Sequence, residues 1–360
     1  MIGIICEYNP FHNGHLYHLN KVKEMFPNQV ITLVLVGNFL NRGEVSVVEK
    51  YDKTKLVLDY GVDLVVELPT CFAIQAADIY AYGAITILDN FNCDYLVFGS
   101  ESNDLEVLDK IAQFQLDNNI ELSKYVKKGY NYPTSLSLAI QENLSIKIDS
   151  PNDLLAISYI KAIKKLNSKI KPMTIKRTND YHDDKTTGKI SSATSIRKLI
   201  YDNQDIAKYV PKSTVKYVKN IKLNDFFLII KYKIMTEDLT KYQDIDVNLS
   251  RSLKKHISTS NDIDTLIMKV KSKNYTYNKI KRCLVHILCC VEKNKYDIDY
   301  IYVLGFNQKG REYLNKIKKN IRLPLITNYD KLLDYQILVD NIYNLINNEN
   351  NINKPIFKNN

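Results

Sequence analysis

Nine residues near the start of this chain, Glu7-Tyr8-Asn9-Pro10-Phe11-His12-Asn13-Gly14-His15, leave the fold little freedom. They follow a short apolar run, Ile2 to Cys6, that reads as a buried strand. They run into Leu16-Tyr17-His18-Leu19, where an amphipathic helix begins. A strand passing through a tight turn into a helix gathers unpaired backbone N–H groups at the helix entrance. The helix dipole adds partial positive charge there, so the turn is a seat for phosphate. Gly14 has no Cβ and lets the backbone approach a ligand closely. His12 and His15 flank it. Imidazoles can hydrogen-bond phosphate oxygens and stabilise the charge that builds up when an α-phosphate is attacked. The alternatives for such a pair are a surface pair or a zinc site, but no Cys-x-x-Cys partner accompanies it.

The 360 residues suffice for two domains and a sizeable core. No stretch approaches the roughly 20 apolar residues a membrane span needs. Ile2 to Cys6 is too short for the apolar core of a signal peptide. A cytoplasmic location with no membrane partner is therefore expected. The cysteines, Cys6, Cys71, Cys93, Cys283, Cys289 and Cys290, form no metal-spaced pairs and read as reduced, buried thiols. The net charge of +10 is uneven: residues 1–200 carry 22 Lys+Arg against 23 Asp+Glu, and residues 201–360 carry 28 against 17. A neutral front and a basic back point to a catalytic part and a part that meets a polyanion. A Lys- and Asn-rich codon bias would give the same imbalance.

Further buried strands are expected at Val30 to Val36, Val62 to Leu68, Asp94 to Phe98 and Pro172 to Lys176, with helices between them. This alternation through residue 200 predicts a doubly wound parallel sheet. Ligands bind beyond the carboxyl ends of such strands. The loop Gly37 to Glu44, with Arg42 as a phosphate or carboxylate ligand, and Gly99 at the end of the fourth strand belong there. Pro151-Asn152-Asp153 opens a helix, and local sequence makes Asn152 a cap. Asp184 to Lys189 is expected to be mobile. Ile190-Ser191-Ser192-Ala193-Thr194-Ser195-Ile196-Arg197 clusters hydroxyls at a helix start with an arginine one turn in, a second phosphate-binding pattern beside the plain N-cap reading. From about 205 the pattern turns helical, with Lys and Tyr interleaved in Lys271 to Arg282, suited to RNA backbone and bases or to a solvated face. A second strand–glycine–helix unit, Asp299 to Lys319, can add another small α/β layer. The Asn-rich tail from Asn347 reads as frayed.

The His-x-Gly-His pattern after a first strand resembles the signature of the nucleotidyltransferase superfamily. The longer string Glu7 to His18 resembles the tRNA(Met) cytidine acetate ligase family. The match extends over Gly37 to Gly43, Val65 to Pro69, Phe98 to Glu101, Pro151 to Asp153, Lys176-Arg177, Tyr181-His182-Asp183, Ser191 to Arg197 and Val303 to Phe306. Asn41 stands where that family usually has glutamine, and Lys185 to Lys189 lengthens a loop.

The resemblance implies a Rossmann-like parallel-sheet nucleotidyltransferase domain over 1–205. A mainly helical, basic, tRNA-binding region with a small α/β element over 206–346 and a disordered tail over 347–360 follow it. It implies that ATP is held by Ile5, Cys6, Glu7, Tyr8, Asn9, Pro10, Phe11, His12, Asn13, Gly14, His15, Leu16, Tyr17 and His18, with Gly99, Asn152 and Arg177. The family's reaction joins acetate to ATP as acetyl-adenylate, then forms N4-acetylcytidine at the wobble position of elongator tRNA(Met). In this reading His12, His15 and Arg197 are catalytic, and Ser192, Thr194 and Arg197 hold the leaving pyrophosphate. Mg²⁺ is expected with ATP, its ligands unknown, and DNA is not a partner. The rival readings are an adenylyltransferase making a small nucleotide cofactor and a non-catalytic RNA-binding protein.

Overall fold

Runs of β-branched and aliphatic residues become the strands of one central sheet in the computed structural model, which describes residues 1–117, 122–128, 130, 132–148, 150–177, 191–294, 297–347 and 355–358. Five strands are mutually parallel: Ile2–Cys6 (β1), Ile31–Val36 (β2), Leu64–Leu68 (β3), Tyr95–Ser100 (β4) and Lys171–Lys176 (β5). They lie in the order β3-β2-β1-β4-β5. The chain winds outward from β1 in one direction to β3, then returns to the other side of β1 with β4. That reversal is the topological switch point where open α/β sheets bind ligands. β1 pairs with β2 along its whole length, Ile2↔Ile31 to Cys6↔Leu35, but with β4 only at Ile2↔Tyr95 and Gly3↔Leu96. Beyond Gly3 the two strands lose their pairing, and a crevice opens between their carboxyl ends.

Side chains alternate across a strand, so each strand feeds two cores. Leu33 and Leu35 pack with Leu19 and Val22 of the helix Asn13–Met25 (α1) and Val57 of Lys50–Asp59 (α2). Val34 and Val36 face the other way, into a core with Ala84, Ile87 and Leu88 of Ala77–Asn90 (α3) and Ile160 and Ile163 of Pro151–Lys165 (α4). The Ser/Thr-rich signature starts the next helix, Ala193–Tyr201 (α5).

The back half builds its own core from Phe227–Thr236 (α6), Val247–Ile257 (α7), Ile263–Val270 (α8) and Tyr277–Leu288 (α9). Its α/β element does not form a separate layer. Strand Ile301–Asn307 (β6) adds antiparallel to β3, pairing Leu64↔Phe306 and Val65↔Gly305, and helix Gln308–Ile317 (α10) follows it. Ile301 to Leu304 is apolar and buried, so its backbone groups need partners in a dry place, and the open edge of β3 supplies them. Leu325–Ile326 (β7) and Ile356–Lys358 (β8) then pair parallel with β6. The tail expected to be frayed thus ends in a strand of the main sheet. Helix Asp334–Asn347 (α11) is tied to the sheet through buried Lys50, whose Nζ lies 2.9 Å from Glu67 and also pairs with Asp340. No helix among the described residues is long and apolar enough to cross a membrane.

Candidate active site

The turn after β1 is held by its own small aromatic core. Tyr8 sits at φ +48°, a left-handed conformation that an L residue keeps only under constraint. Its buried ring packs edge-on against Phe11 at 4.9 Å and tilted against His15 at 4.7 Å. Helix α1 then starts with a pair of histidines acting as a capping box. His12 Nδ1 accepts from the Gly14 N–H at 3.0 Å, and His15 Nδ1 accepts from the His12 N–H at 3.4 Å. The two rings stack with centroids 3.6 Å apart. Because Nδ1 of His12 accepts a backbone hydrogen, the ring proton of the neutral imidazole belongs on Nε2, which stays a donor. Burial, then Arg177 and Arg197, push His12 down to about 3. Burial and His12 likewise hold His15 well below the usual range, and burial with Arg177 brings His18 to about 4. These histidines are neutral N–H donors, and fixed positive charge at the cavity comes from Arg42, Lys176, Arg177 and Arg197. His18 lines the cavity, and its Nε2 is buried with no hydrogen-bond partner among the described residues.

The cavity has a volume of 350 Å³ and lies in the crevice between β1 and β4. One wall is apolar, from Ile5, Ala77, Tyr80, Phe98, Leu155 and Tyr159, a surface suited to an aromatic base. Gly99 lies under Arg177, whose Cγ would come within 3.3 Å of a Cβ added there. Asn152 is not the cap of α4. Ser150 occupies that position, while the Asn152 amide donates to Glu101 Oε1. Glu101 Oε2 accepts from the Asp153 N–H at 3.2 Å, and Arg177 Nε lies 3.7 Å from Glu101 Oε1. One carboxylate therefore joins Asn152 and Arg177, a role its sequence position just past a strand end did not reveal. Burial raises the pKa of Asp153, but hydrogen bonds from Ser100, Ser150 and Ser102 win and hold it below the usual range. That carboxylate fixes the loop after β4.

The third side of the cavity comes from the start of α5. Ser192 caps the helix, its Oγ accepting from the Ser195 N–H at 3.1 Å, and it also lines the cavity. Both sequence readings of this serine thus meet in one residue. Thr194 Oγ1 accepts from Arg197 Nη2 at 3.3 Å, and Arg197 Nη1 donates to the Asn9 carbonyl at 2.9 Å. Asn41 and Arg42 line the cavity as well. The Asn41 side chain donates to the Gln75 carbonyl at 2.6 Å.

Most expected site residues converge here, but Pro10, Phe11, Asn13 and Leu16 do not line the cavity. Phe11 is fully buried beneath the turn, and Asn13 ties it to the Tyr209 and Lys208 carbonyls at 3.0 Å. Phe11 and Asn13 thus serve the shape of the turn. The Tyr181-His182-Asp183 motif and the Asp184 to Lys189 stretch lie outside the described residues. A recess of 490 Å³ between Asp94, Lys169, Lys171 and Arg322 lies at the amino ends of β4 and β5, the wrong end of a parallel sheet for a ligand crevice.

The family model described as HIGH Nucleotidyl Transferase matches residues 1–356. The tRNA(Met) cytidine acetate ligase of Caldicellulosiruptor saccharolyticus is 39% identical over 95% of this chain and 89% of its own length. That of Fusobacterium nucleatum subsp. nucleatum is 35% identical over 99% of this chain and 98% of its own. The ligand-free crystal structure of Thermotoga maritima TmcAL, 28% identical, superposes with a TM-score of 0.90 over 100% of this chain and 99% of that one. A second crystal form of that protein, bound with alpha-thio ATP, gives 0.86 over the same shares. With a match that runs from residue 1 to 356 and such identity along nearly its whole length, the chain belongs to the HIGH nucleotidyl transferase family and, within it, to the tRNA(Met) cytidine acetate ligases.

Proposed function

We propose that this chain uses ATP to activate acetate and passes the acetyl group to the exocyclic amine of the wobble cytidine in elongator tRNA(Met). One observation carries the reading: the paired histidines at the α1 entrance, Asn152 with Arg177, and the α5 start with Arg197 all border one cavity at the switch point of the sheet.

In this reading the adenine lies on the apolar wall and Gly99. Asn152 and Arg177 fix the nucleoside end. Attack on an α-phosphate needs position and charge neutralisation more than a nucleophilic side chain. His12 supplies the Nε2–H donor to the α-phosphate as acetate attacks, and His15 stacks behind it. The Ser192 and Thr194 hydroxyls, the α5 N-terminus and Arg197 receive the departing pyrophosphate. Mg²⁺ would accompany ATP and neutralise phosphate charge. Among the described residues no group of three or more His, Cys, Asp or Glu is placed to hold a metal ion. The division of labour follows the charge: residues 1–205 carry the chemistry, and the basic helices within 206–346 hold the anticodon arm, docked onto the catalytic sheet through β6.

The test is incubation with ATP, labelled acetate and unmodified elongator tRNA(Met), followed by nucleoside analysis. Labelled N4-acetylcytidine is the expected product. No label in RNA, with AMP transferred instead to a small phosphorylated acceptor, would overturn the reading in favour of a cofactor adenylyltransferase.

A further inference from the structure

Among the described residues two carboxylates line the cavity, and they are held differently. Glu44 is paired with Arg197 at 2.8 Å and Lys281 at 3.4 Å. Glu7 has no ion pair among the described residues. Its Oε1 accepts from the Asn41 N–H at 2.8 Å. Its main chain is pinned as well: the carbonyl accepts from buried Lys53 Nζ at 3.0 Å, and the same ammonium holds the Val36 and Gly37 carbonyls at 2.7 Å. The side chain is thus fixed at the carboxyl ends of β1 and β2, while Oε2 takes no hydrogen bond among the described residues. Burial is the largest influence on this group and raises its pKa; the Asn41 N–H opposes it, Glu44 adds to the rise, and the charges of Arg42 and Arg197 work against it.

A carboxylate with no ion pair among the described residues is a poor lining for a polyphosphate site, since like charges repel. It is a good partner for a ligand that brings an N–H. The amino group of cytosine is such a donor, and Glu is among the side chains that read it. We propose that Glu7 is a catalytic residue of the acetyl-transfer step, reading the acceptor cytosine by its exocyclic amine and taking the proton that amine must lose. The inference rests on the function proposed above.

In this step the amine nitrogen forms a bond to the carbonyl carbon of acetyl-adenylate. The bond from that carbon to the phosphate oxygen breaks, and its electron pair leaves with AMP. The surplus N–H proton passes to Glu7 Oε2 and from there to solvent. The amine is conjugated with the ring and becomes acidic only as the new bond forms, so a base already within hydrogen-bond reach is needed at that moment. A carboxyl held above its ordinary range is a better base for this than a free one.

The experiment separates the two half-reactions in wild type, Glu7→Gln and Glu7→Asp. Acetate-dependent exchange between ATP and pyrophosphate reads the first. Single-turnover transfer from preformed acetyl-adenylate to tRNA reads the second. Glutamine keeps an acceptor for the Asn41 N–H, so the fold is preserved. Transfer should fall about 100-fold or more in the glutamine variant. Exchange should fall far less. Transfer in wild type should rise with pH as Glu7 ionises, the glutamine variant should lose that rise, and aspartate should restore part of it. Equal losses in both half-reactions would make Glu7 an ATP-holding residue only and overturn the proposal, as would undiminished transfer. Absence of acetate-dependent exchange in the wild-type enzyme would instead overturn the function itself.

Discussion

Glu44 Oε2 lies 2.8 Å from Nη2 of Arg197, although the two residues come from different layers of the fold. Glu44 belongs to a two-stranded ribbon, Phe39–Leu40 with Glu44–Val45, beyond the end of β2. Its other oxygen faces Lys281 of α9 at 3.4 Å. One carboxylate thus takes a cation from the Ser/Thr-rich signature of α5 and a cation from the basic helical half. The ribbon reaches α9 closely because Gly43, at φ +69°, has no side chain: a Cβ there would lie 2.6 Å from the Arg282 nitrogen.

The Glu44–Arg197 pair is largely shielded, so losing Glu44 leaves the Arg197 guanidinium without its carboxylate in a dry setting, whereas losing Arg197 leaves Glu44 with Lys281 alone. Urea unfolding of Glu44→Ala, Arg197→Ala and the double variant should give a coupling energy of about 1–3 kcal/mol. A value near zero would make the pair incidental to stability.

His12 has a structural role as helix cap and a proposed chemical one, and two substitutions separate them. Asparagine is a strong N-cap residue, while alanine is a poor one and costs about 1 kcal/mol. His12→Asn should therefore keep wild-type stability but lose roughly 100-fold or more in turnover. His12→Ala should lose both, and tRNA affinity should survive in each. A fully active asparagine variant would remove the imidazole from the chemistry.

The depressed histidines make the fold sensitive to acid. His12 titrates near 3 when folded and near 6.5 when unfolded. Between those values the unfolded chain holds a proton that the native site excludes. Stability is therefore intact above about pH 6.5 and falls as the pH drops toward 3, by at most about 1.4 kcal/mol per pH unit for each such histidine. His15 and His18 shift in the same direction. Thermal unfolding from pH 7 to 5 should show this loss, and His12→Asn should reduce its slope. An unchanged slope would mean the ring is not excluded from protonation.

Of the basic residues in 271–282, Lys271 and Lys273 are exposed, while Arg282 is engaged by Asp244 at 2.8 Å. Replacing Lys271 and Lys273 by glutamine should weaken tRNA binding and lower the slope of log K against log salt by about 0.7–0.9 for each phosphate no longer neutralised. A filter-binding titration at several salt concentrations checks this, and an unchanged slope would rule both out as phosphate ligands.

The first strand, its turn, the helix that follows it, the parallel strands through Lys176 and the Ser192 cap were legible in the residues themselves. Apolar runs, a glycine between two histidines and clustered hydroxyls act on neighbours within one turn or one strand, so local order suffices to read them. The tertiary structure alone decided the rest. β6 was readable as a strand, but its antiparallel place depends on which sheet edge is left with unpaired N–H and C=O groups once the other strands have assembled. The same holds for Ile356–Lys358, drawn from a polar tail onto the edge of β6. Glu101 meets Asn152 and Glu44 meets Arg197 across long stretches of chain, which no local pattern encodes. The neutrality of the histidines came from burial beside two arginines that only the folded chain brings near them.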